Sequence, residues 1–402
     1  LGLLTKLKVT QYRIQSLILC PTRELADQVA KELRKLARSI HNTKILTLCG
    51  GMPLGPQIGS LEHGAHIIVG TPGRIEEHLR KNTLALNHVS TLVLDEADRM
   101  LDMGFQAAVD AIVDQVPERR QTLLFSATYP PEIESIAERV MRKPVLVQIS
   151  STHDQESIKQ VFYPLKDDIP RLTALHLLLM KYRPESSLVF CNTKVETQEV
   201  KDALAELGFS ALALHGDLEQ RERDQALVRF ANRSVSVLVA TDVASRGLDI
   251  SELDAVINYQ LSRDPEVHIH RIGRTGRAGN KGIACTLYTE KEQYKIDRLE
   301  DLQKKPVHIK QLPPISLVSR APFRPPMVTL QIDGGKKQKV RPGDIVGALT
   351  GDQGIAGEKI GKIHIFDNSA YVAVEQNAAK IALQKISKGK MKGRFFRARL
   401  IR

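Results

Sequence analysis

Twice along this chain, short runs of aliphatic and β-branched residues alternate with longer amphipathic stretches. The first series places strands at 16–20, 44–49, 66–69, 91–95, 121–126 and 145–149, with helical patterns at 24–40, 105–115 and 131–141. The second places strands at 159–163, 187–191, 211–215, 235–240, 255–259 and 283–288, with helices at 194–207 and 218–231. Apolar runs this short, without polar alternation, read as strands buried on both faces, which requires helices above and below. The pattern therefore predicts an α/β protein with two tandem parallel-sheet domains made of right-handed βαβ units, the first over 1–152 and the second over 153–304. Residues 305–326 hold six prolines and are expected to be an extended, stiff linker. In 327–402 the order changes: strand 328–332, helix 342–351, strands 360–366 and 371–375, helix 378–386, strand 395–401. That βαββαβ order is the split βαβ arrangement, used by many small RNA-binding domains and by unrelated proteins.

Charge is spread unevenly over this plan. The chain has 58 Lys and Arg against 46 Asp and Glu, a net +12, and residues 320–402 alone account for +11 of it. A nearly neutral body thus carries a basic appendage. Such asymmetry points to a polyanionic partner, against the plainer alternatives of a solubilising surface or a protein-docking face. No run approaches the roughly 18 apolar residues of a membrane span, so no membrane partner is expected. The four cysteines are far apart and form no C-x-x-C, which argues against a zinc or disulfide framework and suits the cytoplasm. Aromatic residues are 4 % and Trp is absent, which disfavours a body that grips nucleic acid mainly by stacking.

The most specific local signal is Thr91-Leu-Val-Leu-Asp95-Glu96-Ala97-Asp98. An apolar strand delivers adjacent carboxylates to its C-terminal edge, where parallel α/β sheets bind ligands. Asp95 is placed to hold Mg²⁺ and Glu96 to deprotonate water, the parts phosphoryl transfer needs. By itself the pattern is equally an acidic first turn favoured by a helix dipole. Ser126-Ala127-Thr128 ends a strand one unit later, and its hydroxyls can reach Asp98; alone it is more often a turn or cap. In the second domain a strand leads into Ala240–Asp249, and 270–277 place three arginines in seven residues beside glycines. Surface arginines are usually solvated, but glycine neighbours let a ligand approach the backbone closely. Arg274 and Arg277 suit charge stabilisation on a transferring phosphate.

Pro21–Ala26, Gly50-Gly51, Thr71–Arg74, Asp95–Asp98, Ser126–Thr128, Leu188–Thr193, Ala240–Asp249 and His270–Arg277 occur in this order. The ordered set resembles the DEAD-box RNA helicases over about residues 1–300. The resemblance implies two tandem RecA-like domains flanking a cleft, with ATP and Mg²⁺ between them and single-stranded RNA across both. It implies catalytic roles for Asp95, Glu96, Arg274 and Arg277, with Asp95 at the metal. Asp98, Ser126, Thr128 and His270 would couple hydrolysis to RNA, and Gly247 and Asp249 would contact the nucleotide. RNA phosphates would be held by Thr22, Arg23, Gly51, Thr71, Gly73 and Arg74 from the first domain, and by Thr193, Gly216, Thr241, Asp242 and Arg246 from the second. N–H groups at helix starts suit that task and carry no base information. A rival, a DNA helicase of the same superfamily, fits the wording of Ala97-Asp98 and Ser126–Thr128 less well.

The basic C-terminal RRM-like domain narrows the resemblance to the DbpA type. That implies a monomer that binds a hairpin in large-subunit (23S) ribosomal RNA and acts in assembly of the pre-50S particle. The domain departs from an ordinary RNA-recognition sheet, for Tyr371 is the one aromatic on its central strands. RNA contact is therefore expected from Lys336, Lys337, Lys339, Arg341, Tyr371, Lys388, Lys390, Lys392, Arg394 and Arg397, helped by Phe395 and Phe396. A second departure is that no G-x-x-x-x-G-K-[ST] loop occurs in the 402 residues. That loop cradles the nucleotide phosphates, so the chain reads as an N-terminal truncation that is inactive alone, with a non-catalytic rRNA-binding assembly factor as the alternative.

Overall fold

The computed structural model describes residues 1–148, 158–166, 169–245, 253–276 and 282–401. They form two compact units, one holding a parallel sheet, the other a second parallel sheet together with an antiparallel one.

In the first unit, after a short α1 (Gly2–Thr5), strands β1 (Ser16–Leu19), β2 (Ile45–Leu48), β3 (Ile67–Gly70), β4 (Thr91–Leu94) and β5 (Gln121–Leu124) pair in the order β2-β3-β1-β4-β5, all parallel. Every residue of β1, β3 and β4 is buried. Helices α2 (Arg23–Leu36), α3 (Leu54–Glu62), α4 (Pro72–Arg80), α5 (Ala97–Asp102), α6 (Gln106–Val113) and α7 (Pro131–Val140) follow the strands. Two apolar clusters, around Leu17, Ile68 and Leu92 and around Ile18, Ile67 and Val69, lie on opposite faces of the sheet, as the period-2 geometry of its strands requires. The strand expected at 145–149 does not form over its described part. Residues 145–147 are 64–82 % exposed, because no strand of this sheet pairs with them and apolar content alone does not make a strand.

The second unit begins with β6 (Ile158–Leu165), α8 (Arg171–Tyr182), β7 (Ser187–Phe190), α9 (Lys194–Glu206), β8 (Ala211–Leu214) and α10 (Gln220–Ala231). It continues through β9 (Val237–Ala240), α11 (Asp242–Ser245), β10 (Ala255–Asn258), α12 (Pro265–Ile272), β11 (Gly282–Thr289) and α13 (Gln293–Gln303). Its parallel sheet runs β6-β11-β10-β7-β9-β8. The antiparallel sheet contains β12 (Met327–Ile332), β13 (Ile360–Ile365), β14 (Ala370–Glu375) and β15 (Ala398–Ile401) in the order β13-β14-β12-β15, with α14 (Pro342–Thr350) and α15 (Ala379–Lys388) against one face. The βαββαβ reading therefore holds.

The proline-rich segment is extended on either side of a short 3-10 helix at Ile315–Ser319, and it is not a free spacer. Phe162 N–H donates to the His308 carbonyl and Lys310 N–H to the Phe162 carbonyl, both at 2.9 Å, so the segment adds to the edge of β6. Leu312, Leu317 and Phe323 then pack on the second core, with Phe323 edge-on to Phe209 and under the Arg183 guanidinium. Apolar residues spaced among the prolines make it a docked strap.

Candidate functional site

In the first unit the site is built on strand C-terminal ends. The β4 run delivers Asp95, whose N–H is held by the Leu19 carbonyl at 3.0 Å. Asp95 Oδ1 accepts from Glu96 N–H at 3.1 Å, and Glu96 takes a left-handed conformation (φ 51°) as α5 begins. Burial pushes the Asp95 carboxyl above its ordinary pKa, and the Glu96 N–H offsets this only in part. Among the described residues no basic side chain offsets this burial, and no cluster of three or more His, Cys, Asp or Glu is gathered to hold a metal ion, so Asp95 offers one carboxylate, which a bound cation would keep ionised. Asp98 is 7 % exposed, and Thr128 Oγ1 donates to its Oδ2 at 3.2 Å. Asp98 Oδ1 and Ser126 Oγ are buried without a hydrogen-bond partner among the described residues.

The loops named for RNA phosphate lie beside these ends. Thr22 caps α2 by accepting from Leu25 N–H at 3.3 Å, a bond worth about 1 kcal/mol. Arg23 approaches Asp27 at 3.8 Å, and its Nη1 is buried without a partner among the described residues. Gly51 sits at φ 73°, Gly73 is exposed in the first turn of α4, and Thr71 Oγ1 faces Gly50 N–H at 3.4 Å. Arg74 is engaged within the protein. Its Nη1 donates to the Met52 carbonyl at 2.8 Å and its Nε pairs with Glu77 at 3.1 Å, so it ties the 50–52 loop to α4 rather than standing free. Behind both loops, Gln57 donates to the Cys49 carbonyl and contacts buried His78, whose other ring nitrogen meets Thr83 at 2.8 Å.

The second parallel sheet centres on a residue the sequence did not single out. Arg271 is 1 % exposed and donates to both Asp242 carboxylate oxygens at 2.7 Å. It also reaches Asn192 Oδ1 at 3.0 Å and the Gln260 carbonyl at 2.7 Å, and lies over the Phe190 ring. One guanidinium thus joins the ends of β7, β9 and β10 to α12. The Asp242 carboxylate is thus committed to Arg271 within the domain. The signal available was the first of three closely spaced arginines and a carboxylate directly after a strand. Thr193 caps α9 by accepting from Glu196 N–H at 3.2 Å, Gly216 is exposed after β8, and Thr241 accepts from Ala244 N–H at 3.4 Å. His270 and Arg274 are half-buried on and just after α12. The neighbouring His268 is fully buried, stacked on Phe162, and its pKa is pushed down to about 3 by burial and then by Arg271. Arg246, Gly247, Asp249 and Arg277 lie outside the described residues.

In the antiparallel domain the charged candidates are exposed, whereas Tyr371 and Phe396 are buried. Lys336, Lys337, Lys339, Arg341, Lys388, Lys390, Lys392, Arg394 and Arg397 are exposed, and Lys392 Nζ bridges the two basic segments by donating to the Lys339 carbonyl at 3.0 Å. Tyr371 is 5 % exposed, with Thr329 at 0 % and Gln331 at 3 % on the same sheet face. Thr329 Oγ1 meets Asn232 Nδ2 at 3.1 Å and Ser234 Oγ at 2.7 Å, just beyond α10. The face that could present Tyr371 to RNA is therefore turned against the neighbouring parallel-sheet domain. Phe396 is also core, at 9 % exposed, whereas Phe395 is 64 % exposed.

Family models match along most of the chain: DEAD/DEAH box helicase over residues 1–136, helicase conserved C-terminal domain over 170–279, and DbpA RNA binding domain over 329–400. The ATP-dependent RNA helicase DbpA of Escherichia coli (strain K12) is 53 % identical over 405 residues, which cover 100 % of this chain and 87 % of that protein. The DEAD-box ATP-dependent RNA helicase CshA of Geobacillus kaustophilus (strain HTA426) is 43 % identical over 300 residues, 75 % of this chain and 64 % of that one. Among solved structures, S. cerevisiae Dbp5 bound to RNA and ADP BeF3 is 28 % identical, with a TM-score of 0.68 over 80 % of this chain and 84 % of that one.

Proposed function

The chain belongs to the DEAD-box RNA helicases of the DbpA type, ATP-dependent enzymes with an RNA-binding domain, and from that premise we propose that it remodels a hairpin of large-subunit ribosomal RNA during 50S assembly, in the cytoplasm and as a monomer. The basic C-terminal domain supports the choice of a structured RNA. Its exposed lysines and arginines supply affinity, while the loops of the two parallel-sheet domains contact backbone and are blind to sequence.

The observation that carries the reading is the juxtaposition at β4: a half-buried Asp95 whose burial no basic side chain offsets among the described residues, Glu96 beside it, and Asp98 bonded to Thr128. Bound ATP with Mg²⁺ would supply the cleavable phosphoanhydride, with Asp95 holding the ion. The Glu96 carboxylate would take the proton of the attacking water. The Asp98–Thr128 bond would fix the 126–128 turn to the end of β4. Arg274 and Arg277 would stabilise charge on the transferring phosphate, and His270 would belong to the coupling network. Gly247 and Asp249 would contact the nucleotide, and Arg246 the RNA.

Glu96→Gln, in a form carrying a G-x-x-x-x-G-K-[ST] loop ahead of Leu1, is expected to cut RNA-stimulated ATP turnover about 10²–10⁴-fold while RNA binding persists. Normal turnover by that variant would overturn the assignment of the base. Residues 1–402 alone contain no such loop, and negligible turnover by them provides the baseline.

A further inference from the structure

The C-terminal domain holds four aromatic residues, and only one of them faces solvent. Phe366 is half-buried edge-on to Tyr371, Tyr371 is covered, and Phe396 belongs to the core. Phe395 is 64 % exposed, with Lys390 Nζ 5.5 Å from its ring centroid. An exposed Phe among cations is unfavourable surface for a domain whose other apolar groups pack well, unless something covers it.

The local backbone presents this ring rigidly. Met391 N–H donates to the Arg394 carbonyl at 2.8 Å, and Arg394 N–H to the Met391 carbonyl at 3.2 Å. Between them Lys392 and Gly393 both have positive φ, 54° and 75°. This is a two-residue hairpin of the primed type, which needs glycine or a tolerant residue at each tip position. The hairpin is pinned on both sides: Met391 is 4 % and Phe396 9 % exposed, both within the core. A Cβ on Gly334 would collide with the Phe396 ring, so the glycine there lets the ring seat. At the tip, Lys392 pairs with Asp344 at 3.1 Å and bonds to the Lys339 carbonyl. Phe395 therefore projects from an anchored turn with Lys390 over its ring and with exposed Arg394 and Arg397 one and two residues away in the chain.

We propose that this hairpin is a reader of unpaired RNA: Phe395 stacks on an extruded base while Lys390, Arg394 and Arg397 hold the flanking phosphates. An aromatic face between cations matches one nucleotide, with its flat base and its anionic linkages on either side. A regular duplex offers the phosphates but no free base face, so it cannot use the ring. The inference rests on the RNA-binding reading above and specifies which part of an RNA the domain takes.

The test uses the full chain and two probes, an RNA stem-loop with 2-aminopurine in the loop and a blunt RNA duplex of equal phosphate number. Phe395→Ala is expected to weaken stem-loop binding about 5- to 100-fold, to abolish fluorescence quenching, and to leave duplex binding and the salt dependence unchanged. Phe395→Trp should restore both affinity and quenching. The side chain is exposed, so neither variant threatens folding. If Phe395→Ala binds and quenches like the parent while Lys390, Arg394 and Arg397 exchanged for Gln abolish binding, the stacking proposal fails and the RNA-binding reading stands. If the triple exchange also changes nothing, both fail.

Discussion

The second parallel-sheet domain and the antiparallel domain packed on it use positive charge in opposite ways. In the former, Arg271 is sequestered and every direction of its guanidinium is taken by Asp242, Asn192, Asn258 and the Gln260 carbonyl. Arg74 in the first unit is of the same kind, joining a loop to its helix. In the antiparallel domain the lysines and arginines of 336–341 and 388–397 are exposed. Buried arginines fix where loops stand; exposed ones generate a field. Net charge does not register the first use at Arg271 and Arg74, since Asp242 and Glu77 match them. This explains how a body of almost zero net charge can still be organised around arginine.

The comparison breaks most visibly at Arg271. Arg271→Ala leaves the Asp242 carboxylate without its partner, and a loss of about 3–5 kcal/mol is expected in denaturant unfolding of the second unit. Arg271→Lys should recover little, because one ammonium cannot replace a bidentate fork and three further hydrogen bonds. Full stability in the lysine variant would show that the cluster is not held as described. By contrast, exchanging exposed Arg394 for Gln should change stability by less than about 0.5 kcal/mol.

The same contrast is sharpened through His268, a titratable group kept neutral by burial. Its folded pKa, about 3, lies below the ordinary 6.5, so the unfolded chain binds its proton first as pH falls. The stabilising contribution is fully present above pH 6.5 and is lost on acidification toward pH 3, at most about 1.4 kcal/mol per pH unit. His268→Gln should flatten this limb of a stability-against-pH curve. An unchanged limb would assign the acid sensitivity to other groups.

How much of this was legible in the sequence follows physical range. The βαβ units were readable because runs such as 67–69 and 92–94 are apolar throughout, and that property is local. The Asp98–Thr128 contact was readable because both residues follow neighbouring strands of one sheet. Three features were not. Tyr371 looked available, but its sheet face is turned inward, where Thr329 bonds Asn232 and Ser234, 97 and 95 residues away in the chain. The prolines of 305–326 announced stiffness, whereas docking depends on Leu312, Leu317 and Phe323 finding a groove on a distant core. The run 145–147 is apolar, yet strand formation needs a pairing edge that composition does not reveal.

The central claim is that salt-sensitive RNA affinity resides in the exposed charges of the C-terminal domain, not in the paired charges of the body. The most direct measurement is the slope of log K against log salt for a short RNA stem-loop, with the full chain and with Lys390, Arg394 and Arg397 exchanged together for Gln. The account predicts a slope shallower by about 2, since each lost phosphate contact removes about 0.7–0.9. A slope that stays the same in the exchanged protein would contradict it.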